Sequence, residues 1–216
     1  MTAVPNIDHT QLSVLENEQF DPHEFVLGLI LNAVSSRTNV EITLRGSLSR
    51  IIIQANLGEA VVLVDKEVEF YTAQIKSFRV KALNDDFTLS HSHGPIQNID
   101  ELTWTAAYHA SQGRLMEGCK KTDILYLKYW PNLTAVPKTN SDISMCALFA
   151  RHPTSMHVAK KMLDITQQDL NRFYSAARAS GLSAIVNSRP DKPVSQKNPN
   201  DKRPLFRRIL DKIASI

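Results

Sequence analysis

Two imidazoles two residues apart, His91 and His93, form the first pair in this sequence whose type and spacing suit a metal. In an extended segment, residues i and i+2 point to one side. Zinc needs three or four ligands with defined spacing. His109 or Cys119 would have to be brought in by the fold to complete such a set. A polar loop leading into Gly94-Pro95 accounts for the same residues without an ion, so no metal site and no cofactor are assigned. Asp85-Asp86 is a pair of acids, but Asn84-Asp85-Asp86 between two apolar runs is turn chemistry. Cys119 and Cys146 lack CxxC spacing and cannot make a disulfide framework. Reduced, structurally incidental thiols fit them, as in a cytoplasmic protein.

The familiar catalytic signatures are missing. No GxSxG, GxxxxGK or GxGxxG run occurs, and seven glycines leave little material for a phosphate cradle. No catalytic residue is assigned, and the reading is of a chain that is not an enzyme. Trp104, Tyr108, Tyr126, Tyr129 and Trp130 form an aromatic concentration. Core packing at a domain junction explains it. The functional alternative is a binding surface, because Trp and Tyr are enriched at interface hot spots.

The elements that must position these residues follow from periodicity. Asp21-Pro22-His23-Glu24 is a helix start, with Asp21 as cap, Pro22 at the first position and Glu24 as capping-box partner. The helix predicted from it runs to residue 34. Its apolar stretch, 25–34, is interrupted by Gly28 and Asn32 and follows acidic residues, unlike a secretory signal. It is also shorter than the run of about 18 apolar residues that a membrane span needs. Alternation and β-branched runs predict strands at 40–44, 50–53 and 60–64, with 56–58 as a hairpin loop. Residues 68–71 suggest a strand or turn, and 78–83 and 87–89 suggest strands. A helix capped by Asp100 continues to about Ser111, where Gly113 stops it, and 124–129 reads as a strand. The expected fold class is α+β: a mixed domain with a small sheet over 20–136, then a helical domain over 141–186.

In the second part, helices are predicted at 142–151, 155–163 and 167–180. Val158, Met162, Leu170, Phe173, Tyr174, Ala177 and Leu182 fall at helical spacing and would bury one face of each helix. Thr154-Ser155 leads into Val158-Ala159, then Leu163, a short turn, and a helix ending Ala179-Ser180-Gly181-Leu182. This pattern resembles bacterial winged-helix and other helix-turn-helix modules. The resemblance covers about 45 residues. It implies that Ala159 packs closely on the third helix and that Gly181-Leu182 leads into a strand at 183–186. Two features depart from it: one strand, not two, follows the helices, and Asp169 would face phosphates unfavourably. If the module bound DNA, Gln167, Gln168, Asn171 and Arg172 would read base edges, with Lys160 and Lys161 on the backbone. The chain also resembles uncharacterised proteobacterial proteins that share the Trp130-Pro131-Asn132-Leu133 and Phe173-Tyr174-Ser175-Ala176-Ala177 signatures.

At 43% hydrophobic and 22% charged, the 216 residues are ordinary globular composition. The net charge of +3 conceals an asymmetry. Residues 188–216 hold eight basic and three acidic side chains, leaving 17 and 19 in 1–187. A DNA-binding fold usually carries its positive charge on the fold itself. Residues 187–203 read as a linker with three prolines, spanning about 20–25 Å as a flexible chain. After it, 204–215 is an amphipathic helix pattern. Leu205, Phe206, Ile209, Leu210 and Ile213 make one apolar face, with Arg207 and Arg208 beside it. A helix this short is marginal alone in water, so its face must dock: on its own domain, in a partner's groove, or on an anionic membrane surface. The sequence therefore points to a cytoplasmic regulatory or adaptor protein with an unidentified protein partner and a possible peripheral membrane contact. A DNA-binding regulator is the alternative.

Overall fold

The computed structural model describes residues 19–187 apart from Asp85. The chain folds as a mixed α+β structure built on one five-stranded antiparallel sheet. Its strands are β2 (Val40–Leu44), β3 (Arg50–Gln54), β4 (Glu59–Leu63), β5 (Phe78–Ala82) and β6 (Ile96–Asn98), in the order β5-β2-β3-β4-β6. The register follows the alternation in the sequence. Val40 opposes Ile53, which opposes Ala60, and Ile42 opposes Ile51. These five side chains belong to the main core. A slip of one residue would turn them all to the other face.

That inner face packs against α1 (Val26–Ser36) and α3 (Ile99–Ser111). Before α1, Asp21 caps a 3₁₀ turn, Pro22–Glu24, accepting the His23 N–H at 2.8 Å. The turn lies so close to the helix that a Cβ on Gly28 would meet the Cα of His23 at 2.7 Å. Gly28 is thus what allows the capped turn to fold back on α1. The expected strand-or-turn at 68–71 is instead part of a helix, α2 (Glu67–Thr72), whose adjacent Phe70 and Tyr71 are both buried. The first turn carries Glu67 and Glu69, which favour a helix N-terminus.

The outer face of the sheet carries a second apolar cluster, Ile52, Val61 and Leu89, with Phe87 and Ile96 against it. Residues 87–89 do not form the expected strand. The buried Gln54 side chain takes the place of a neighbouring strand: its Nε2 donates to the Phe87 carbonyl at 2.9 Å, and its Oε1 accepts the Leu89 N–H at 2.8 Å. One side-chain amide so satisfies two main-chain groups that a ladder would otherwise pair.

α3 is the central helix. It packs on the sheet on one side and on α6 (Gln167–Ala179) on the other. The Trp104 ring meets Phe173 edge-on at 5.5 Å, and Phe173 stacks on Phe149 of α4 (Asn140–Arg151) at 5.8 Å. One contiguous core contains side chains from both sides of 136–141. Two short strands, β1 (Gln19–Phe20) and β7 (Leu115–Met116), pair in parallel. A three-stranded sheet has β8 (Ile124–Leu127) at its centre, flanked by β9 (Thr154–Ser155) and β10 (Ser183–Ile185). Between β9 and β10 lie α5 (Met156–Leu163) and α6. No helix among the described residues is long and apolar enough to cross a membrane.

Candidate interaction surface

Of the four side chains expected to read bases from α6, Asn171 turns inward, Gln167 and Arg172 are half-buried, and Gln168 is exposed. Asn171 is buried, and its Nδ2 donates to the Gly113 carbonyl at 3.0 Å. Its Oδ1 accepts from Gln167 Nε2 at 2.9 Å. Gln168 lies over Gly113, where an added Cβ would stand 2.9 Å from the Gln168 Cβ. Gly113 also holds φ +84°, so both its conformation and its lack of a side chain are required there. Arg172 places its guanidinium 5.2 Å from the centre of the Tyr108 ring and 3.6 Å from Asp169 Oδ1. Asp169 is engaged at the N-terminus of α6, where the Thr166 hydroxyl donates to its carboxylate at 2.7 Å. The expected phosphate contacts, Lys160 and Lys161, are exposed on α5.

Further along α6, the Ser175 Oγ accepts the Met116 N–H at 3.0 Å, and the Tyr174 hydroxyl donates to Asp123 at 2.5 Å. Burial raises the Tyr174 pKa well above the usual phenol range, with the nearby Cys119 and Asp123 adding to it. Burial also pushes the Cys119 thiol up to about 11 and Cys146 up to about 12. Both are protonated at neutral pH and fit a packing role better than that of a nucleophile.

His91 and His93 lie in an exposed 3₁₀ turn, and His93 Nδ1 accepts the Ser90 N–H at 3.1 Å beside Phe87. Among the described residues, no group of three or more His, Cys, Asp and Glu is placed to hold a metal. His109 lies elsewhere, on α3, stacked on Tyr71 at 5.7 Å with its Nε2 3.8 Å from Glu67 Oε2. That nitrogen is buried without a hydrogen-bond partner. Burial lowers the His109 pKa, Arg172 lowers it further, and Glu67 works against both. Sequence reasoning gave His109 no role of its own. Its burial depends on α2 reaching α3, which no local pattern encodes.

The aromatic concentration divides. Trp104 and Tyr108 are buried, Tyr126 is half-buried, and Tyr129 and Trp130 are exposed, Trp130 at 52%. Val158 and Met162 depart from the core role expected of them, at 44% and 65% exposed. α5 buries Met156 and Ala159 instead, and that choice turns the residues at 158 and 162, one helical turn apart, outward beside Lys161. The expected docking residues Leu205, Phe206, Arg207, Arg208, Ile209, Leu210 and Ile213 lie outside the described residues. No family model, curated protein or solved structure matches the chain.

Proposed function

We propose that the chain is a non-enzymatic regulatory or adaptor protein that acts through protein–protein contacts. In this reading α4, α5 and α6, with the sheet ordered β10-β8-β9, make a winged-helix-like module. Its central strand is supplied from ahead of the helices rather than behind them. The buried Ala159 supports this, as the close contact between the second and third helices requires.

One observation carries the functional part. Of the expected base-reading side chains, Asn171 is buried on the Gly113 carbonyl and the half-buried Arg172 is engaged by Tyr108 and Asp169, which leaves Gln168 as the exposed one. The next helix toward the surface presents Val158 and Met162 to solvent. Apolar side chains flanked by lysines suit a protein partner, and the amphipathic pattern at 204–215 would add a tethered contact to that partner or to a membrane surface. Reading DNA through α6 would require both side chains to leave their present partners.

The test is affinity capture from nuclease-treated lysate with three proteins: the full chain, Val158→Glu/Met162→Glu, and a chain stopped after Val186. A partner retained by the full chain and lost from either variant supports the reading. Identical profiles from all three sink it. Binding to mixed DNA fragments at low salt that weakens with Arg172→Ala would favour the DNA-binding regulator instead.

A further inference from the structure

β5 is one of the two edge strands of the five-stranded sheet: it pairs with β2 on one side, and no strand among the described residues pairs with its other side. Its main-chain groups divide cleanly. The Leu83 N–H donates to the Asn39 carbonyl and the Arg45 N–H to the Ser77 carbonyl. In the register that sets Val40 opposite Ala82, the odd-numbered residues of β5 therefore exchange bonds with β2. The even-numbered ones point their N–H and C=O groups away from the sheet. The Phe78 carbonyl is partly occupied by Arg45 Nε at 3.3 Å. Val80 and Ala82 leave two donors and two acceptors facing outward.

The side chains beside this edge are equally ordered. Arg79 and Lys81 share the outer face, both exposed, with no ion pair to another described residue. Val80 lies on the opposite face, in line with Ile42, and is 47% exposed. A hollow of ≈ 360 Å³ opens at the end of the strand, lined by Lys81, Ala82, Leu83, Asn84, Asp86 and Phe87. Edge strands often carry cations to prevent pairing with a second copy. Antiparallel self-pairing about Val80 would set Arg79 against Lys81 of the copy, like against like.

We infer that the β5 edge is a docking site for an extended acidic segment of another protein, which adds as a sixth strand. The ladder supplies the affinity and the flanking side chains the selectivity. Side chains of an added strand alternate between faces, so the fitting pattern is acid–apolar–acid: carboxylates beside Arg79 and Lys81, and an apolar residue against Val80. The inference is separate from the reading of α5 above, and neither depends on the other.

The test uses the full chain labelled with ¹⁵N and a capped seven-residue peptide of alternating Glu and Val, with the Lys/Val peptide as control. The acidic peptide is expected to shift the Val80 and Ala82 amide signals and slow their exchange, more weakly as salt rises. Arg79→Glu/Lys81→Glu should weaken it about tenfold, the sum of two exposed charge pairs, and admit the lysine peptide instead. Val80→Pro removes an outward donor while leaving the β2–β5 bonds in place, and should abolish binding of the acidic peptide. Equal binding of the two peptides to the unaltered chain, or shifts confined to other residues, would overturn the inference. So would Val80 and Ala82 amides already protected in the free protein, because a segment of this chain or a second copy would then own the edge.

Discussion

The Asn171 side chain reaches across 58 residues of sequence to donate to the Gly113 carbonyl at 3.0 Å. The bond ties α6 to the turn that ends α3. It also explains why Gly113, at φ +84°, sits where Gln168 leaves no room for a side chain. Replacing Asn171 by Leu strips a buried carbonyl of its donor, which costs about 1–3 kcal/mol. Urea unfolding should show that loss. Gln167→Ala, which removes only the partly buried neighbour of Asn171, should cost less than Asn171→Leu.

Trp104 and Phe173 meet edge-on between α3 and α6. Truncating either to Ala empties a fully buried site, with an expected loss of about 3–5 kcal/mol. Both should lower the midpoint of one and the same transition, followed by far-UV and near-UV circular dichroism together. Separate transitions, only one of them moved, would mean that the segments on either side of 136–141 unfold independently.

Burial keeps His109 neutral in the fold below the pH at which it would protonate in the unfolded chain. Its folded pKa is depressed, so the unfolded state binds the proton first. Its contribution is fully present above about pH 6.5 and is lost as pH falls through the lower folded value, with a slope of at most about 1.4 kcal/mol per pH unit. His109→Gln should remove that slope from unfolding measured between pH 7.5 and 5. An unchanged slope would place the acid sensitivity elsewhere.

Gln54 holds the segment over the outer face by two hydrogen bonds, to Phe87 and Leu89. Gln54→Leu keeps the volume and drops both bonds. Faster amide exchange should appear at Leu89 while the β3–β4 ladder stays protected.

Wherever periodicity decided, the sequence was readable. β2 falls on 40–44 as the alternation Val40-Glu41-Ile42-Thr43-Leu44 requires, and the helices α3 to α6 start and stop within about two residues of their capping signals. Misreadings arose where a distant partner decided. Residues 67–72 carry β-prone side chains, yet a helix there buries Phe70 and Tyr71 together. Phe87-Thr88-Leu89 has strand composition, but a side chain from β3 satisfies its backbone. Val158 and Met162 have core spacing, and the phase of α5 is set by Met156 and Ala159 instead. The inward turn of Asn171 and the pairing of His109 with Glu67 were beyond reach for the same reason: each depends on which helix lies alongside.

The place of β8 at the centre of the small sheet has a consequence during synthesis. Leu125 pairs with Thr154 on one side and with Ile185 on the other, so β8 leaves the ribosome about 60 residues before its later partner. It is an apolar strand with two open edges until β9 is made and with one until β10 follows, in a nascent chain whose inner sheet is already out. Chaperone demand should therefore last until β10 closes on it, and ribosome-bound chains long enough to expose β9 but not β10 should be the ones that aggregate.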